Sequence, residues 1–190
     1  MKKRILFCLV VIVVLFFALV ISSSCVYARG YIGIGGGGGG QAKGSNGRVE
    51  FGGYSTAKSV NLMYGLGIPF TLNRDDLPNG TLEYPCPHND YRGLGIKDKG
   101  AELGVYAKFG VEPIKDTGVF IFAIGGATWG SEVDLVQSNA TGWYYEQSKR
   151  TTTYGLYGGG LGFFPKESRF CIQASYDNRM GVNGLIGFVW

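Results

Sequence analysis

From Ala101 to Val111 the chain alternates. Ala101, Leu103, Val105, Ala107, Phe109 and Val111 hold the odd positions, and Glu102, Tyr106 and Lys108 fall on the even ones. A period of two over this length is the mark of a strand with one apolar and one polar face. Arg169 to Asp177 repeats it: Phe170, Ile172, Ala174 and Tyr176 alternate with Cys171, Gln173, Ser175 and Asp177. In the terminal stretch Val182, Ile186, Phe188 and Trp190 share one side. Further strands are predicted over Tyr31–Gly38, Arg48–Lys58, Asn61–Phe70, Val119–Trp129 and Arg150–Phe164. In the last of these Tyr154, Leu156 and Phe164 fall on one face and Tyr157, Leu161 and Phe163 on the other, so neither face is clearly the apolar one. Eight strands and no helix define an all-β chain.

The connections carry a second pattern. Glu112–Gly118 and Pro165–Ser168 are short and rich in turn formers, whereas Thr71–Gly100 and Ser131–Lys149 are long and polar and read as loops. Long and short connections alternate, with Asp177–Gly181 a short exception on the long side; the joint near Lys58–Val60 is the weakest and leaves six strands as the alternative count. Transmembrane antiparallel up-and-down β-barrels show this asymmetry, with short turns at one rim and long loops at the other, and both termini at one rim require an even strand number.

Composition changes the picture at the amino end. Lys2, Lys3 and Arg4 precede an apolar run from Ile5 to Ile21, and Val26 and Ala28 flank Tyr27 in a small-x-small exit. Residues 1–28 therefore read as a signal peptide and residues 29–190 as the barrel domain. A membrane-anchoring helix and lipidation at Cys25 are the alternatives. The formal charge of +4 includes the three leader cations; beyond Ala28 the balance is 15 basic to 14 acidic residues, which leaves no basic stripe for nucleic acid. All 33 glycines also lie beyond Ala28, but among too many aromatic residues for a disordered chain. Cys86 and Cys171 do not make a disulfide framework.

The stretch SYDNRMGVNGLIGFVW, Ser175 to Trp190, is a tight turn followed by a glycine-aromatic strand. It carries most of the resemblance of the chain from roughly Tyr31 to Trp190 to the small eight-stranded outer-membrane barrels, the OmpA transmembrane domain and OmpX type. That resemblance implies an outer-membrane location, contact with outer-membrane lipid and delivery by the barrel-assembly machinery of Gram-negative bacteria. It also implies an assembly signal carried by Ile186, Phe188 and Trp190. Val189 lies on the opposite face, where a threonine is expected to be mild. The expected protein is a monomer.

Three chemical motifs compete with this frame. GIGGGG, Gly33 to Gly38, satisfies GxGxxG with Glu50 near the place of a ribose-binding acid, but no helix follows the glycines. Cys86 and His88 in CPH stand at metal-ligand spacing without the further ligands of a structural zinc site. An acyl-transfer site acting on lipid A needs a serine beside His88, and the nearest are Ser59 and Ser131. The sequence thus assigns no catalytic, metal or cofactor-binding residue.

With the apolar stripes facing lipid, Arg48, Glu50, Tyr54, Lys58, Glu102, Tyr106, Lys108, Gln173 and Asp177 face the lumen. Eight strands leave a lumen just wide enough to be filled by side chains, so these groups are expected to pair rather than line a pore. The reading is a narrow barrel with a structural or surface-interaction role presented through Thr71–Gly100 and Ser131–Lys149. The alternatives are a lipid A-modifying enzyme and a small channel.

Overall fold

The computed structural model describes residues 27–56, 60–72, 74, 76–87 and 89–190. The leader up to Val26, Lys58 and His88 lie outside the described residues. Eight strands follow in chain order: β1 (Tyr27–Gly39), β2 (Ser45–Thr56), β3 (Leu62–Leu72), β4 (Tyr91–Val111), β5 (Val119–Ser138), β6 (Tyr144–Phe163), β7 (Phe170–Asp177) and β8 (Gly181–Val189). Each pairs antiparallel with its neighbours, and β8 returns to β1 to close the barrel. β1 starts two residues ahead of the expected cut after Ala28.

The seam between first and last strands is fully paired. Tyr31 stands opposite Val189 and Gly39 opposite Gly181, and the ladder ends with reciprocal bonds between Gly30 and Trp190, N–H to oxygen at 3.2 and 3.0 Å. The Trp190 ring lies over Gly30, where a β-carbon would come within 2.7 Å of it. Closure matters because a strand edge in hydrocarbon would leave a row of backbone groups without partners.

The faces predicted for β2, β4, β7 and β8 hold, and the remaining strands divide in the same way. Ile32 and Ile34 of β1, Leu66 and Ile68 of β3, Leu103, Val105 and Phe109 of β4, and Ile172, Ile186 and Phe188 of β7 and β8 are all exposed on the outside. None of the described outward positions in this band is charged. Phe163, Phe170, Phe188 and Trp190 gather toward the rim that holds the chain termini, and Phe70, Trp129, Tyr157 and Tyr176 toward the other. The ambiguous β6 has two aromatic faces because both environments accept rings: Leu156 and Phe164 are buried inside, and Tyr157, Leu161 and Phe163 are exposed outside. Pro69 points inward on β3, and the β3–β4 ladder skips Ile68 and Pro69. Proline has no N–H to give a ladder.

Of the two long loops expected from the sequence, one is mostly sheet and the other is sheet in its last third. β4 and β5 run 21 and 20 residues and β6 runs 20, where about 9–11 residues cross a bilayer. Their outer halves form a three-stranded sheet that projects beyond the barrel. The supposed loop Ser131–Lys149 is mostly the β5–β6 hairpin, turning at residues 139–143. Of Thr71–Gly100, the last ten residues belong to β4. Polar composition misled the reading, because a sheet surrounded by water need not show one continuous apolar face.

Inside, near the terminal rim, Tyr31, Tyr54, Phe120 and Phe164 pack ring to ring, with centroids 5.1 to 5.8 Å apart; Met63, Cys171 and Val189 join them, and the cluster continues up the bore through Tyr106, Phe122, Ile124 and Leu156. Val189 is therefore not at a tolerant polar face, as the alternation suggested, but among aromatic rings. Val189→Thr is expected to lower stability by about 1–3 kcal/mol through an unpaired buried hydroxyl, read by urea unfolding in detergent. An unchanged midpoint would show that the hydroxyl finds a partner there.

Candidate functional site: a charged lumen below a projecting sheet

Above the aromatic cluster the lumen becomes ionic. Glu50, fully buried on β2, accepts from the Tyr31 hydroxyl at 2.5 Å, the Tyr106 hydroxyl at 2.6 Å and the Lys108 ammonium at 2.5 Å. Lys108 also donates to Gln173 and stands 4.3 Å from the centre of the Phe122 ring. Gly67 makes room for this group, since a β-carbon there would meet the Tyr106 ring at 2.2 Å. One level up, Arg48 donates to Asp177 at 2.9 Å and to Ser175 at 3.2 Å. Asp177 uses its other oxygen to hold the β7–β8 turn, accepting the N–H groups of Arg179 and Met180 at 3.1 and 2.6 Å.

The third level closes the mouth. Glu102 accepts from Arg179 at 2.9 and 2.5 Å, from Thr128 at 2.6 Å and from Arg74. Arg179 lies 3.8 Å from the centre of the Tyr154 ring and Arg74 lies 5.6 Å from it; Arg74 continues to Asp98. Every luminal residue expected from the sequence is buried inside, except Lys58, which lies outside the described residues. The structure brings Glu50, Tyr106, Lys108 and Gln173 together, joins Arg48 to Asp177, and sets Glu102 apart with cations that alternation did not reveal. Tyr54 belongs to the aromatic cluster. Glu50 is a luminal acceptor, and Gly33–Gly38 lie within strand β1, so neither belongs to a nucleotide loop. Arg74 and Arg179 were missed because both stand in connections, where no period marks them.

The projecting sheet has its own order. After β3, Arg74 and Asp76 donate their N–H groups to Gly100 and Asp98 on the β4 edge, at 3.1 Å each. Leu82 then pairs with Tyr145 on the β6 edge, so the segment crosses the sheet. Val133, Leu135, Val136 and Tyr145 are buried within this part. Desolvation pulls the Lys99 ammonium down, but hydrogen bonds and charge from Glu146 and Glu83 outweigh it and leave Lys99 above its ordinary value. Glu132 is held below the usual carboxylate range, first by the Tyr154 hydroxyl at 2.6 Å and then by Arg150 and Thr152.

A closed barrel with an uncharged apolar outside, an ion-paired inside and aromatic residues toward both rims has the architecture of a small eight-stranded transmembrane β-barrel. No protein-family model matches the chain, and no curated protein matches it. Among solved structures it is similar to Ail, the attachment invasion locus protein of Yersinia pestis, at 15% identity over 86% of this chain and 97% of that one, with a TM-score of 0.45. It is also similar to the N-terminal β-barrel domain of OprF of Pseudomonas aeruginosa, at 15% identity over 86% and 97% of the two chains, with a TM-score of 0.41. The class rests on the barrel's own geometry.

The Glu132 contacts fix the sign of a pH effect. A folded value below the unfolded one means that the interaction stabilises the sheet above the unfolded value and is lost as pH falls through the folded one. Carbon-detected NMR titration is expected to place the Glu132 midpoint below that of an ordinary glutamate, and Tyr154→Phe to move it upward. A midpoint unmoved by Tyr154→Phe would remove the hydroxyl as the leading cause.

Proposed function

We propose that this protein is an outer-membrane barrel with a surface-interaction role, in which a narrow filled barrel anchors a small folded sheet outside the membrane. The luminal pairs and the aromatic cluster support anchoring rather than transport. The leader at residues 1–28 and the stripe Ile186, Phe188 and Trp190 suit export and recognition by the assembly machinery. Outer-membrane lipid then surrounds a single copy.

One observation carries the interaction role: the projecting sheet keeps an open edge. On β6 the side away from β5 is occupied at Glu146, whose N–H donates to Leu82 oxygen at 3.0 Å. It is occupied again at Gly155 and Tyr157, which bond Asn178. Register with β5 is unbroken from Ser148 to Phe163, so the backbone groups of Lys149, Thr151 and Thr153 point to that same side. Among the described residues they have no backbone partner, and all three residues are exposed. A short edge of threonines outside the membrane suits an extended segment of another protein, added as a strand. A second copy in the same membrane fits it less well, because its β6 would run in the same direction across the bilayer.

Selection of extended decapeptides on the purified protein tests this. Thr151→Pro removes one outward N–H at an edge position that tolerates proline. The expected result is enrichment of binders on the unmodified protein and its loss with Thr151→Pro, at equal outer-membrane levels and with the same heat-dependent gel mobility. Equal enrichment on both proteins would show that the β6 edge is not the contact.

A further inference from the structure

The lumen is not uniform along its axis. Near the terminal rim Tyr31, Phe120 and Phe164 are essentially inaccessible, and they project from β1, from the start of β5 and from just after β6. With Tyr54, Met63 and Val189 they span the bore from strands on all its sides. Above them ionic and hydrogen-bonding groups share the bore with Phe122, Ile124, Leu156 and Leu185, and there the accounting of polar atoms does not close. Arg48 Nε, Gln173 Nε2 and Asn183 Oδ1, on side chains more than nine-tenths buried, find no partner in the protein, and neither does Asn46 Oδ1. Asn183 is paired in register with Ser175 and with Gly37, and Gly37 with Asn46. Gln173 and Arg48 follow one level closer to the rings, opposite Leu185 and Gly35. The four groups thus occupy two adjacent inward levels on β7, β8 and β2, with Gly35 and Gly37 of β1 between them.

Two donors and two acceptors left open in one polar region match the needs of water, which gives and takes hydrogen bonds in equal number. The other two open buried atoms lie outside this region, Arg74 Nε at the mouth and Asn61 Oδ1 at the terminal rim beyond Met63; none belongs to the rings, where a water molecule or ion would lose its hydration without return.

We propose that the lumen is divided in two: an outer half that takes up water as far as Gln173, and a dry aromatic bulkhead that alone insulates the barrel. The ion pairs then set register and shape, and the rings block the path. Cys171, inward and buried in the bulkhead cluster one inward position below Gln173, reports on the boundary.

Two measurements decide this. In the unmodified protein, magnetisation transfer from water is expected to reach the Asn183 and Gln173 side-chain amides, and Cys171 is expected to resist a small charged thiosulfonate reagent, as read by peptide mass. Phe120→Ala with Phe164→Ala is expected to give steady unitary currents in planar bilayers and to expose Cys171 to the reagent. Glu102→Gln, which weakens the mouth pairs but leaves the rings, should give neither. The proposal is overturned if water does not reach Asn183 and Gln173. It is also overturned if Glu102→Gln conducts as the ring variant does, or if a ring variant with native heat-dependent gel mobility stays silent. Should the ring variant fail to fold, the water contacts and Glu102→Gln decide the question alone.

Discussion

Hydrocarbon offers no partner to a backbone N–H or C=O, and the rest of the structure follows from that constraint. It forces β8 onto β1, so that the ladder runs from Gly39–Gly181 to the reciprocal bonds of Gly30 and Trp190. Once the sheet is closed, each strand has one face to lipid and one to a confined interior. Alternation along the chain then becomes a division between Ile186 or Leu103 outside and Asp177 or Glu102 inside. The same constraint ends at the membrane surface. Beyond it β4, β5 and β6 continue as an open sheet whose edges are partly covered by the β3–β4 segment, because water can satisfy what is left.

Confinement makes the interior a network. A carboxylate held in the bore must be paired there, and removing one partner of such a buried pair costs about 3–5 kcal/mol in typical proteins. Asp177 links Arg48 to the backbone of the β7–β8 turn, and that turn carries Arg179 onto Glu102. Glu102 in turn receives Arg74 from the β3–β4 segment, which bonds the edge of the projecting sheet. Barrel, turn and sheet are therefore tied by one chain of contacts, and the arrangement of the outer surface depends on charges within the bore.

Strand number, closure and the facing of most strands were legible in the sequence because lipid imposes them; β6 was the exception, since its rings lie on both faces. The inward set from Arg48 to Asp177 followed directly. The projecting sheet was not legible: the run Glu132, Val133, Asp134, Leu135 does alternate, but it sits in a polar context that also describes a loop. Arg74 and Arg179 were hidden for a different reason. With Lys58 counted inside, the expected cations Arg48, Lys58 and Lys108 already balanced Glu50, Glu102 and Asp177, so nothing called for cations from the connections. Val189 misled because period two says which way a side chain points and not what it meets.

A spin-label scan along β4 from Tyr91 to Val111, on protein reconstituted in bilayers, tests the central claim most directly. Labels at odd positions from Leu103 to Val111 are predicted to collide with oxygen dissolved in lipid, and those at even positions to be protected from it. Labels from Tyr91 to Gly100 are predicted to be ordered yet accessible to a water-borne relaxing agent. Uniform water access along the whole strand, or a lipid-facing period that continues through Tyr91, would contradict a membrane barrel that carries its sheet outside.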